Sequence, residues 1–251
     1  MRAEIISRVT EALDREPFVH ALWLEGADGT GTVDAFSDID LVADVDDGYE
    51  DAVLTKVEAV LQRLGALDLC YEGPRYHGQL RTKFYHVAGT PESLMIDFTV
   101  QSHSRDYQFV IEDETTVPVV LFDKSQVIQW RHQDVAELRR EMAEALPHLE
   151  SMVRQKARAT KYTQRGQFLE AMIYYHRYVM GPLVQVLRMK HTPLLHEHFL
   201  VHASRQLPGP VVARLEELYK VTCTAEMAAK IEAAAAWFWE TVDDLGLPRR
   251  T

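Results

Sequence analysis

Two aspartates, Asp38 and Asp40, stand two residues apart in Ser37-Asp38-Ile39-Asp40-Leu41, whose apolar flanks predict a strand. At that spacing both carboxylates leave the same face. Neighbouring carboxylates repel, and a divalent cation such as Mg²⁺ relieves the repulsion by taking oxygen ligands from them and from substrate phosphates. Upstream, Leu24-Glu25-Gly26-Ala27-Asp28-Gly29-Thr30-Gly31 sets three glycines at the end of another apolar run. Glycines there let backbone N–H groups converge on one point and cradle phosphate oxygens. A third acid, Asp97, interrupts the apolar run Leu94-Met95-Ile96-Asp97-Phe98-Thr99-Val100, where a lone charge needs a reason. On a neighbouring strand it would complete a three-carboxylate site, able to ligate a second ion or to take the proton from an attacking hydroxyl. These parts suit in-line displacement at the α-phosphate of a nucleoside triphosphate, with pyrophosphate leaving. A plain hairpin with a solvated acidic turn would require neither this spacing nor the third acid, although Asp97 alone would also suit a strand end or an ion pair.

The elements that must position these groups follow from periodicity. Ile5, Ile6, Val9 and Leu13 share a helical face that Pro17 ends. Residues 19–24 and 39–45 read as strands around a glycine turn. Val53, Val57, Val60, Leu61 and Leu64 trace a helix closed by Gly65. Strands are expected at 67–71, 80–87, 94–100 and 117–122. Beyond Trp130 only helical patterns remain. One apolar stripe runs from Phe168 and Leu169 through Met172, Ile173 and Val179 to Leu187, with a kink expected at Pro182. Val211, Val212, Leu215, Leu218 and Tyr219 mark another helix, and Met227 to Val242 a last one, ended by Gly246 and Pro248. The expected fold class is α+β: an N-terminal mixed β-sheet with flanking helices over residues 1–128, then a C-terminal helical bundle over 129–251. The active site would lie in the cleft between them.

Composition narrows the function classes. The 251 residues are 47% hydrophobic and 26% charged, a globular mixture with neither disorder nor a disulfide scaffold in prospect. The longest apolar run, 233–239, is far too short to cross a bilayer, so no membrane role is expected. No apolar signal core opens the chain, and Cys70 and Cys223 stand far apart, which fits a cytoplasmic address. The net charge of −11 disfavours a long nucleic acid as partner and suits a cationic or neutral small acceptor, although Arg154, Lys156, Arg158 and Lys161 could form a local basic patch.

Gly26 through Leu41 resembles the signature of the DNA polymerase β-type nucleotidyltransferase superfamily, which includes the aminoglycoside and lincosamide adenylyltransferases. Gly26 matches the first glycine, Gly31 the second, Ser37 to Leu41 the acidic strand, and Asp97 the third carboxylate. The resemblance covers about the first half of the chain; the helical half is similar in layout only. It implies Mg²⁺ held by Asp38, Asp40 and Asp97, with Asp97 also a base. It further implies a triphosphate, ATP as donor, held at Gly26, the Ala27 backbone, Thr30 and Ser37, with Lys161 of the helical half gripping phosphate. AMP would pass to a hydroxyl of a small molecule such as an aminoglycoside-like antibiotic. The family's serine after the first glycine is Ala27 here, which removes a phosphate contact of about 0.5–1.5 kcal/mol; Thr30 or Thr32 is the available substitute. That departure supports the alternative, a catalytically silent nucleotide- or partner-binding protein that retains the fold.

Other polar and aromatic groups have plainer readings. His191, His196, His198 and His202 lack the cysteines or following glutamate of a zinc site and read as scattered surface residues. Phe168, Tyr174, Tyr175 and Tyr178 read first as helix packing, Lys156 as a solvated cation, and Glu170 as an exposed helix acid. The sequence leaves the oligomeric state open.

Overall fold

The computed structural model describes residues 1–75 and 77–247. They divide into two compact units, one spanning Met1–Gln133 and one starting at Asp134.

In the first unit, helix α1 (Arg2–Asp14) precedes strand β1 (Val19–Leu24), a single helical turn α2 (Gly26–Thr30) and strand β2 (Ile39–Val45). Helix α3 (Glu50–Gln62) and strands β3 (Leu67–Glu72), β4 (Leu80–Val87) and β5 (Ile96–Ser102) follow. The unit ends with β6 (Phe109–Val110), β7 (Val119–Asp123) and β8 (Trp130–Arg131). Six strands form a mixed sheet in the order β3-β4-β5-β2-β1-β7, in which β2 and β5 run parallel and every other neighbouring pair is antiparallel.

Alternation along the strands sorts the side chains between two faces. Ile39, Leu41, Ala43 and Val45 of β2, with Ile96, Phe98 and Val100 of β5, pack under Ile5, Val9 and Leu13 of α1 and Val53, Val57 and Leu61 of α3. Each of these residues is buried, so helices cover that face continuously. The opposite face holds only a small apolar cluster of Ala21, Trp23, Val42 and Phe109. Asp40 and Asp97 alternate with the buried residues and therefore belong to this more open face.

Three expectations for this unit change. The glycine segment is a turn of helix rather than a strand-to-strand turn, closed by Gly31 in the left-handed conformation (φ 67°). β5 starts at Ile96 instead of Leu94, because the Leu94 N–H is used in a turn to the Pro91 carbonyl (2.8 Å). The parallel pair β6–β8 has only two residues per strand, too short to leave a periodic signal.

The second unit is helical: α4 (Val135–Arg154), α5 (Ala157–Gln164), α6 (Phe168–Tyr175), α7 (Gly181–His191), α8 (Ala203–Gln206), α9 (Gly209–Tyr219) and α10 (Thr224–Leu245). Asp134 caps α4 by accepting from the Ala136 and Glu137 N–H groups. The stripe expected as one kinked helix is interrupted by a π-helical turn, His176–Met180, where the Gly181 N–H reaches back to the His176 carbonyl. This wider turn accommodates Pro182, which has no donor and would crowd the Tyr178 carbonyl in a continuous α-helix. Leu169 and Ile173, expected on the buried stripe, are 79% and 62% exposed. Tyr175 is buried, and its hydroxyl donates to the Leu218 carbonyl at 3.0 Å. Gly246 closes α10 in the left-handed conformation, while Pro248 lies outside the described residues.

Candidate active site

The site grows from two adjacent strand positions. In the parallel β2–β5 ladder Asp40 is the register partner of Asp97, and Asp38 lies on the segment leading into β2. One ligand oxygen from each of Asp38, Asp40 and Asp97 falls within 4.8 Å of the others, the one such group among the described residues. Asp40 and Asp97 stand 57 positions apart in the chain, so the sheet's pairing brings the acids together.

The glycine turn is built against this cluster. The Glu25 N–H donates to the Asp40 carbonyl at 3.0 Å, which ties the start of α2 to β2. Gly26 has φ 58°, and a methyl placed on it would lie 1.9 Å from Asp40 Oδ2. Glycine is therefore required twice here, by the left-handed backbone and by the carboxylate that occupies the space of a side chain. On the far side of the turn, a methyl at Gly29 would lie 2.0 Å from the Val117 carbonyl oxygen. The Arg2 guanidinium spans the outside, bonding both carboxylate oxygens of Asp28 and the Asp38 carbonyl (3.0 Å).

Burial and mutual repulsion set the electrostatics. Asp40 is pushed up to about 7, chiefly by burial and then by the charges of Asp38, Asp97, Glu25 and Asp28. Asp97 is raised to about 6 by burial and by Asp38. Glu25, which periodicity alone did not single out, is raised by burial against the opposing hydrogen bond from Trp23 Nε1 (2.7 Å). Its only sequence signal was its place as an acid between a strand end and a glycine. A cavity of about 430 Å³ opens beside these groups, lined by Glu25, Gly26, Asp40, Asp97, Thr82, Phe84 and Thr99 among others, with no Lys, Arg or His in its described wall.

The remaining expected residues separate. The Thr30 hydroxyl bonds the Gly26 carbonyl (3.1 Å) and Thr32 Oγ1 (2.8 Å), so it serves the turn itself rather than standing free for phosphate. Ser37 Oγ accepts from the Asp34 N–H (2.9 Å) and donates to the Asp34 carboxylate (3.1 Å), closing the loop before Asp38. Ala27 sits half-buried in the first turn of α2. Lys161 is exposed on α5 of the other unit, its Nζ 4.8 Å from the Tyr162 ring centroid. Lys156 pairs with Glu232. His196, His198 and His202 lie in irregular backbone after α7, where the helical spacing needed for a shared metal is missing.

No protein-family model and no curated protein matches the chain. Two solved structures from Helicobacter pylori align along nearly its whole length. One, provisionally described as a nucleotidyltransferase, is 10% identical with a TM-score of 0.30 over 97% of this chain and 96% of that one. The other, JHP933, is 9% identical with a TM-score of 0.28 over 97% and 94%. At such values the chemistry has to be read from the site's own geometry. No helix among the described residues is long and apolar enough to cross a membrane.

The raised carboxyls give a pH signature. Asp40 and Asp97 hold protons more tightly folded than unfolded, so in the metal-free protein they subtract stability as pH rises from the ordinary carboxylate range through 6 and 7. Thermal unfolding with and without Mg²⁺ should show a larger metal-induced rise at about pH 8 than at about pH 5, where protons compete for the same oxygens. An equal rise at both would mean that Mg²⁺ binds elsewhere.

Proposed function

We propose that this chain is a metal-dependent nucleotidyltransferase that moves a nucleoside monophosphate, AMP from ATP, onto a hydroxyl of a small acceptor and releases pyrophosphate. The observation that carries the reading is the convergence of Asp38, Asp40 and Asp97 within 4.8 Å beside a glycine turn packed on Asp40. An all-carboxylate donor set, with no histidine or thiol, fits a hard cation such as Mg²⁺. Asp38, Asp40 and Asp97 would hold that ion, which when bound supplies neutralisation of phosphate charge. Asp97, the register partner of Asp40, is the acid assigned to the proton of the attacking hydroxyl. The hydroxyl oxygen bonds the α-phosphorus as the bond from that phosphorus to the pyrophosphate oxygen breaks. Backbone N–H groups of Gly26 and Ala27 orient the triphosphate at the start of α2. Ser37 supports the turn through Asp34. An amine-bearing, aminoglycoside-like acceptor is favoured by a cavity wall with three carboxylates and no cation.

Calorimetry with ATP, with and without Mg²⁺, and pyrophosphate release across a panel of hydroxyl acceptors test the reading. Metal-dependent binding together with release supports it. Absence of both would favour the catalytically silent reading, for which Ala27 is the specific observation. Ala27→Ser should leave turnover equal or raise it by up to about tenfold, the worth of one phosphate hydrogen bond. A large loss in that variant would mean that α2 meets phosphate through a different set of atoms.

A further inference from the structure

The net charge of the chain conceals a division. Unit Met1–Gln133 carries 24 Asp and Glu against 11 Lys and Arg, a net of −13, whereas residues 134–251 carry 14 against 16, a net of +2. Residues 154–177 hold six of those cations and one acid, Glu170. The acidity that disfavoured nucleic acid therefore belongs to the other unit.

Within that stretch three tyrosines form a ladder. Tyr162 stacks on Tyr174 at 5.2 Å between centroids and 6° between planes, and Tyr174 on Tyr178 at 5.7 Å and 15°. Lys161 and Arg165 lie over Tyr162 (4.8 and 5.6 Å), while Arg158 and Arg177 lie over Tyr178 (5.6 Å each). All four cations are exposed. Arg154 and Lys156 nearby are matched to Glu150 and Glu232, but none of the four has a carboxylate partner among the described residues. Folding alone does not call for four exposed like charges around one aromatic stack, since each could pair or point away at little cost.

We propose that this face binds single-stranded nucleic acid, with Arg158, Lys161, Arg165 and Arg177 meeting phosphates and moving off Tyr162 and Tyr178, the half-buried outer rings of the ladder, to admit bases, while Tyr174 stays sandwiched as their support. Cations that track a backbone beside aromatic rings that accept any base are the two parts of sequence-tolerant single-strand binding. A duplex would keep its bases from the rings, an acidic peptide would bring charge without planar groups, and a lone nucleoside triphosphate would leave most of the ladder unused. The surface lies on the second unit and shares no residue with the carboxylate cluster of the first, so either reading can fail alone.

Fluorescence anisotropy in EDTA with a labelled oligouridylate about a dozen nucleotides long tests it. Salt-sensitive binding is expected. The triple variant Arg158→Gln/Arg165→Gln/Arg177→Gln, which spares Lys161, should weaken binding roughly 10- to 100-fold and lower the slope of log Kd against log salt by about 2, near 0.7 per lost phosphate contact. Tyr178→Leu should weaken it about tenfold with the slope retained. Asp40→Asn should bind the strand as the parent does. The proposal is overturned if no strand binds at low salt or if the triple variant binds normally. It is equally overturned if polyglutamate or inorganic tripolyphosphate displaces the strand at matched charge concentration.

Discussion

An Asp40→Asn variant is expected to lose the proposed nucleotidyl transfer by about a thousandfold or more, roughly 4 kcal/mol in the barrier, while its metal-free form unfolds at a higher temperature than the parent. The two effects have one origin. Asp40 faces Asp97 across the parallel β2–β5 pair, with Asp38 beside both, and burial and repulsion together lift its carboxyl to about 7. At alkaline pH the parent must keep Asp40 and Asp97 ionised in a half-buried space beside Asp38. An amide removes one charge at nearly constant volume and can donate to the acids that remain. The expected gain is about 1–2 kcal/mol after discounting for solvent screening, and it should shrink as pH falls below about 6, where the parent's carboxyls bind protons. Added Mg²⁺ should stabilise the parent and leave the variant nearly unmoved. Turnover with labelled ATP and thermal unfolding on the same preparations measure both. Parental turnover in the variant would place the metal elsewhere, and a lower unfolding temperature would mean that the charge of Asp40 is already compensated in the fold.

Gly26→Ala is the second large effect. The φ of 58° costs any L-residue about 1–2 kcal/mol, and the new methyl would stand 1.9 Å from Asp40 Oδ2 and 3.0 Å from Asp40 Cγ. Turning the carboxylate about its Cβ–Cγ bond would clear the oxygen but still leave Cγ at 3.0 Å, so the oxygens change direction within the cluster or α2 must lift. We expect destabilisation of about 2–3 kcal/mol and loss of turnover by about a hundredfold or more, with the Mg²⁺-induced stabilisation abolished. Gly31→Ala is the matched control. It shares the left-handed backbone (φ 67°) but has no atom within 4 Å of the added methyl, so it should cost only the backbone strain of about 1–2 kcal/mol and keep most activity. Similar losses in the two variants would show that backbone strain, and not the approach of Asp40, makes Gly26 necessary.

Much of the first unit was legible because its strands are short apolar-rich runs set between turn signals. β1, β2 and β4 have the bounds that periodicity gives, and Asp97 drew notice as a charge in an apolar run. The register that sets Asp40 opposite Asp97 was not legible, since it depends on a parallel pairing across a helix and two strands. Nor does a string of glycines disclose whether they make a loop or a turn of helix, because both use the same residues. Glu25 passed unnoticed since one acid at a strand end is common, and only its burial against Trp23 Nε1 sets it apart. In the helical half, Leu169 and Ile173 satisfied the period of a buried stripe yet face outward, as periodicity fixes relative direction along a helix and not which direction meets the core. The ladder of Tyr162, Tyr174 and Tyr178 joins α5 to the helix after it, and a scan of single helices cannot find a stack between two.

The grip of Arg2 on Asp28 and on the Asp38 carbonyl has a practical side. It makes the first turn of α1 a brace for the segment that carries Asp38, so affinity tags and cleavage remnants fused ahead of Met1 act on a structural part. Protein free of such additions is the better reagent for metal and nucleotide titrations. A difference between the two preparations would report directly on how much that brace contributes.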